Sequence, residues 1–129
     1  MESFGSKAPR RSWPPEGSFD LVIDDHCFHC IIGNDRESFL SEAKRVLTAK
    51  GILFIRTMCG EMPPSTPSEV RAMFDPISRC QVYNGVAGRY FGRAEDIVDE
   101  VSKLFTIEDS VIQKQVDGPE MLNIQLRKK

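Results

Sequence analysis

No long apolar run occurs in this chain: nothing in its 129 residues approaches the roughly 20 consecutive apolar positions of a membrane-spanning helix. Its first residues also lack the apolar core of a signal peptide, so the sequence reads as a cytoplasmic protein with no membrane contact. Charge of one sign is missing too. Lys and Arg number 17 against 19 Asp and Glu, for a net charge of −2, and this excludes the basic footprint of a nucleic-acid binder. Aromatic residues make up only 9%, with Trp13 the sole tryptophan, and His26 and His29 are the only histidines. The four cysteines, Cys27, Cys30, Cys59 and Cys80, do not amount to a disulfide framework. A chain of this length can bury a core of its own, and a cytoplasmic one keeps its thiols reduced. There is no internal repeat and no low-complexity segment. What is left, 40% hydrophobic and 28% charged, is the composition of one ordinary globular domain.

The boundary of that domain is visible. Residues 1–17 carry Pro9, Pro14, Pro15 and a small basic cluster at Lys7, Arg10 and Arg11, the composition of a flexible, solvated tail. Trp13 pulls the other way, and we expect it to pack over an apolar surface. Residues 18–129 form the α/β domain.

The domain is organised around its first forty residues. Phe19, Leu21, Val22 and Ile23 precede the carboxylates Asp24 and Asp25, a pattern for a strand buried on both faces inside a sheet. Asn34 followed by Glu37 has the spacing of a capping box and opens a helix. Phe39, Leu40, Ala43, Val46 and Leu47 then give one apolar stripe, with Lys44 and Arg45 in the last turn where cations suit the dipole. Gly51 is placed to break the helix, and Ile52–Ile55 supplies a second strand. Strand, helix and strand make a βαβ unit with parallel strands.

Beyond Cys59, Pro63, Pro64 and Pro67 forbid a regular strand, and Thr66-Pro67-Ser68-Glu69 predicts a short helix running to about Phe74. Asn84-Gly85 between Gln81-Val82-Tyr83 and Val86 predicts a hairpin, read as a small insertion at the rim of the sheet. Ala94–Leu104 is a second amphipathic helix, and Phe105–Gln113 and Met121–Arg127 are strands joined through Asp117-Gly118-Pro119.

The stretches FDLVIDDHCFHCI and DRESFLSEAKRVLTAKGILFI resemble the fourth strand, following helix and fifth strand of class I S-adenosylmethionine-dependent methyltransferases. In that family the pattern is FDLVxD, a DRxxFLxEaxRVL helix and an LKPGG turn; here Leu47-Thr48-Ala49-Lys50-Gly51 stands at the turn, without the proline and one of the glycines. The resemblance implies a partial Rossmann-like α/β fold. Its mixed sheet would have about four main strands, in the family order 4-5-7-6, with flanking helices. The glycine-rich loop and the acidic residue that hold the cofactor in the family lie upstream of the strand that starts here at Phe19. The resemblance therefore covers the C-terminal half, strands four to seven, and implies an incomplete methyltransferase, inactive alone, with S-adenosylmethionine as its cofactor and a small molecule as its substrate.

In open α/β sheets ligands bind beyond the carboxyl ends of the strands, where the strand order reverses. By resemblance Asp24 and Asp25 approach the cofactor's methionine end, and His26 or His29 faces the substrate as general base. The bland alternative is that Asp24 caps the loop backbone and His29 fills a structural position. His26-x2-His29 and Cys27-x2-Cys30 have ligand-like spacing, but no second pair accompanies them, so no metal is expected.

A second reading belongs to another class: a non-catalytic half-fold that binds a partner. The strand Phe19–Ile23, interior in the family, would here be a sheet edge with unpaired backbone groups. We expect it to pair with its own copy in a homodimer, or to be covered by Trp13 and the tail.

Overall fold

The computed structural model describes residues 13–129. Residues 1–12 of the expected tail lie outside the described residues. Gly17, with φ 62°, donates its N–H to the Arg45 carbonyl at 3.0 Å and so fastens the start of the domain to the end of the first helix. Trp13 does not pack as expected; it is 87% exposed.

The main sheet has four strands, β1 (Phe19–Asp25), β2 (Leu47–Cys59), β6 (Phe105–Gln113) and β7 (Glu120–Lys128), in the order β1-β2-β7-β6. β1 and β2 are parallel and the other pairings antiparallel, which is the expected 4-5-7-6 arrangement. One face of this sheet is the core. Leu53, Ile55, Leu122, Ile124 and Leu126 are wholly buried there against Leu40 and Ala43, Ile97 and Val101, and Phe28. Each such side chain contributes on the order of 1.5–3 kcal/mol relative to its exposed state.

Several local expectations are corrected. β1 is not buried on both faces: Val22 and Asp24 turn to the core, while Phe19, Leu21 and Ile23 face out. Those three side chains lie on the face away from the core and meet solvent, and among the described residues no strand pairs with the outer edge of β1. Helix α1 runs Asn34–Val46, but Asn34 is inside it; Gly33, at φ 64°, occupies the cap position with no side-chain cap bond. The chain must reverse there with a positive φ, which glycine tolerates and asparagine does not need to supply. Gly51 does not end the helix either. The backbone turns extended at Leu47, and β2 already starts there. Between the pairs Phe19↔Leu47 and Leu21↔Ile52, β2 carries extra residues as a bulge, and Gly51 sits in its crook. A Cβ at Gly51 would lie 2.7 Å from Leu47 Cδ2 and 3.0 Å from the Thr48 carbonyl oxygen.

The insertion is larger than a hairpin. β4 (Cys80–Tyr83) and β5 (Val86–Tyr90) turn through Asn84 (φ 51°) and Gly85 (φ 77°), as the Asn-Gly signal required, and β3 (Phe74–Asp75) adds a third strand. Helix α2 is a single turn, Ser68–Arg71, that stops short of Phe74, with Pro67 at its cap. Buried Arg79 fastens this sheet to the main one. It donates Nε to the Phe91 carbonyl at 2.7 Å and Nη2 to the Gly60 carbonyl at 3.0 Å. Helix α3 (Ala94–Ser102) then leads into β6, ending two residues earlier than the periodicity suggested. Among the described residues no helix is long and apolar enough to cross a membrane.

Candidate active site

Because β1 and β2 are parallel, their carboxyl ends lie at the same edge of the sheet, and the chain leaving β1 there forms the loop that holds both histidines. Asp24 builds that loop. Its Oδ1 accepts from the backbone N–H groups of Cys27 at 3.0 Å and Phe28 at 3.2 Å, folding the chain into the 3-10 turn Phe28–Cys30. Burial raises the Asp24 pKa, and the two N–H donors work against that rise. One oxygen of Asp24 thus serves its own loop, as in the bland reading of this residue.

Asp25 and His26 point the other way. His26 has a positive φ of 69°, unusual for a residue with a side chain, while its N–H donates to the Arg56 carbonyl at 2.9 Å. That twist places His26 Nδ1 2.5 Å from Asp25 Oδ1, with both side chains about half exposed. If Nδ1 carries the proton, Nε2 is left as an unprotonated base toward solvent, the arrangement by which a carboxylate orients a general-base imidazole.

His29 is different. It is 3% exposed, and Nδ1 accepts from the Met58 N–H at 3.4 Å with Thr57 Oγ1 at 3.3 Å. The neutral ring therefore carries its proton on Nε2. Burial, then the charge of Arg89, pushes its pKa down to about 4, so it is uncharged at neutral pH. The structure brings the two histidine rings together edge-on, with centroids 6.1 Å apart. Cys27 and Cys30 are exposed, Cys59 and Cys80 buried, and all are free thiols. Among the described residues no group of three His, Cys, Asp or Glu side chains could hold a metal ion.

Arg36 is the important residue the sequence reading passed over. It is 6% exposed and sits 3.8 Å over the Phe28 ring and 4.5 Å over the Tyr90 ring. Nη1 donates to the Phe28 and Ile31 carbonyls at 2.7 and 2.9 Å, while Nε and Nη2 take both oxygens of Glu100 at 2.9 Å. Arg36 thus locks the histidine loop to α3 and to the insertion. Beside it is a cleft of about 370 Å³ lined by Gly33, Ser78, Cys80, Tyr90 and Glu100. The only signal for Arg36 was its place in the DRESFL motif; nothing in its neighbourhood named Glu100.

A family profile described as a methyltransferase domain matches residues 11–55. Those residues contain β1, the histidine loop, α1 and the bulged start of β2. The chain shares its fold with solved methyltransferase structures. A Burkholderia thailandensis 1,6-didemethyltoxoflavin-N1-methyltransferase, solved with 1,6-didemethyltoxoflavin and S-adenosylhomocysteine, superimposes at a TM-score of 0.65 with 20% identity, over 90% of this chain and 46% of that one. A Pyrococcus horikoshii protein gives a TM-score of 0.66 at 14% identity, over 92% and 56%. An S-adenosylmethionine-dependent methyltransferase from Methanosarcina mazei gives 0.61 at 14%, over 88% and 61%. At these identities the likeness is one of fold. The chain spans roughly half the length of these solved structures. Among curated proteins no match was found.

Proposed function

We propose that this chain supplies the acceptor-side half of a methyltransferase site, with S-adenosylmethionine as methyl donor and a small molecule as acceptor. The observation that carries this reading is the Asp25–His26 pair, set half-exposed at the carboxyl ends of two parallel strands. That is where ligands of open α/β sheets bind. His26 is the general base in this reading. Asp25 orients it, and Nε2 takes the acceptor's proton as the acceptor attacks the methyl carbon. Methyl transfer otherwise needs chiefly in-line placement of the two reactants. His29, with Nδ1 already occupied, holds the loop against Thr57 and Met58. The cofactor's methionine end approaches the start of the loop at Asp24 and Asp25. When bound, the cofactor supplies the electrophilic methyl group.

The small-molecule class is supported by the Burkholderia neighbour, which was solved with 1,6-didemethyltoxoflavin bound. Four free thiols suit action in the cytoplasm. The chain alone is inactive in this reading, because the elements matched here do not include the family's cofactor-cradling loop. A second reading, a non-catalytic half-fold that binds a partner, is favoured by the outer edge of β1, with which no strand pairs among the described residues.

Titration of the purified chain with S-adenosylhomocysteine in a calorimeter tests the proposal. No detectable heat is expected for the chain alone. Binding near micromolar, about −8 kcal/mol, would show a complete cofactor site and overturn the half-site reading. In a reconstituted active complex, His26→Gln should lower turnover at least about a hundredfold, and unchanged turnover would remove His26 from the chemistry.

A further inference from the structure

β1 has one paired edge and one open edge: its inner side bonds β2, and among the described residues no strand pairs with its outer side. On one face of this strand Phe19, Leu21 and Ile23 are 45%, 54% and 63% exposed. Natural proteins blunt such edges with lysine, proline or a covering segment. The strand FDLVIDD contains neither lysine nor proline.

We propose that a second copy of this chain completes the sheet, β1 pairing antiparallel with its counterpart about a two-fold axis that passes through Leu21. A two-fold axis normal to the sheet keeps the open face of both copies on the same side, so the axis must run through a residue and not between two. Which residue is decided by what then stands opposite what. With the axis at Leu21, Leu21 meets Leu21 and Phe19 meets Ile23 on the open face, while Asp20 meets Val22 on the other. With the axis at Val22, Asp20 opposes Asp24 and Phe19 opposes Asp25. With the axis at Asp20, that carboxylate opposes its own copy. Like charges directly across a ladder destabilise it, whereas apolar pairs add to it; of these three registers only that at Leu21 satisfies both conditions, and an axis at Phe19 or Ile23 would set Leu21 against Gly17 or Asp25 instead of an apolar partner. The contact is self-complementary, as a two-fold interface requires. It joins two four-stranded sheets into one and removes both open edges. This inference stands on the edge of β1 and not on the methyl-transfer reading.

Sedimentation equilibrium over a wide concentration range should give twice the chain mass of 14.6 kDa. Leu21→Lys, which sets two lysines on the axis, should give a monomer with unchanged circular dichroism and a cooperative melt. The register is read by cross-linking in a Cys27→Ser, Cys30→Ser background. Leu21→Cys should form an intermolecular disulfide on mild oxidation. Asp25→Cys should not, because in this register it lies about 26 Å from its copy, at roughly 3.3 Å per residue. If Leu21→Lys fails to fold, the cross-linking pair decides alone. A monomer at every concentration, a folded Leu21→Lys dimer, or equal cross-linking through Asp25→Cys would overturn the proposal. A monomer that associates only after removal of residues 1–12 would assign the edge to the tail, and would overturn it as well.

Discussion

Arg36 on α1 and Glu100 on α3 grip each other at two points, Nε to Oε2 and Nη2 to Oε1, each at 2.9 Å. Only 7% of the Arg36 side chain and 28% of the Glu100 side chain is exposed, so this pair joins two helices largely out of water. The remaining donor, Nη1, holds the Phe28 and Ile31 carbonyls, at the two ends of the short turn within the histidine loop.

Breaking that pair from one side should be costly. Glu100→Ala leaves a buried guanidinium with its backbone partners but no counter-charge, and should destabilise by about 2–3 kcal/mol, below the full range for a completely buried pair because Glu100 is partly exposed. The double variant Arg36→Met, Glu100→Leu should recover part of the loss, since apolar replacement of both partners leaves no uncompensated charge. Urea midpoints check both. A Glu100→Ala loss under about 0.5 kcal/mol would mean that solvent already screens the pair.

Gly51→Ala should destabilise by about 1–3 kcal/mol although the residue is not in the left-handed region. The new Cβ meets Leu47 Cδ2 at 2.7 Å, and Leu47 is wholly buried, so that methyl group has nowhere to go. The Leu47 Cβ and the Thr48 carbonyl oxygen, both at 3.0 Å, close the other directions. Thermal melting reads this directly, and a neutral result would mean that the bulge between Leu47 and Ile52 relaxes.

Gly51 also illustrates what the sequence makes legible. A glycine after an apolar stripe signals a break, and a break is there, yet it falls at Leu47, because β2 begins one bulge earlier to reach Phe19. Period and punctuation were enough for the βαβ unit, for β6 and for the Asn84-Gly85 hairpin, all local patterns. The site was legible only as a loop. That His29 would be buried and His26 exposed depends on Thr57 and Met58 of the neighbouring strand, and Arg36 depends on Glu100. Such pairings form between segments far apart in sequence, where no local pattern can specify them.

His29 should make the protein acid-sensitive before its carboxylates titrate. Its pKa is about 4 folded, against an ordinary 6.5, so below pH 6.5 the unfolded chain binds more protons than the folded one. The stability His29 contributes is therefore complete above pH 6.5 and is lost as pH falls toward 4, roughly 3 kcal/mol in all. Asp24, whose pKa burial raises, works in the opposite direction: the folded state takes up its proton first, which offsets part of the loss at the acid end. Urea midpoints from pH 7.5 to 5 should fall for the wild type and fall much less for His29→Gln. Parallel curves would mean that another group governs the transition.

The thiols should divide in two. Cys27 and Cys30 lie in the open on the histidine loop, whereas Cys59 and Cys80 are 1% and 5% exposed. Burial, with the nearby Glu120 carboxylate, pushes the Cys59 pKa up to about 11, so almost none of it is thiolate at neutral pH. Only the thiolate attacks a disulfide reagent, and only an accessible one reaches it. In the folded protein an aromatic disulfide reagent should titrate Cys27 and Cys30 rapidly, while Cys59 and Cys80 react only as fast as the fold opens. In denaturant all four should react together. Peptide mapping of the early product assigns the sites. Early labelling of Cys59 would show that the end of β2 opens without global unfolding, and with it the strand end against which His29 is held.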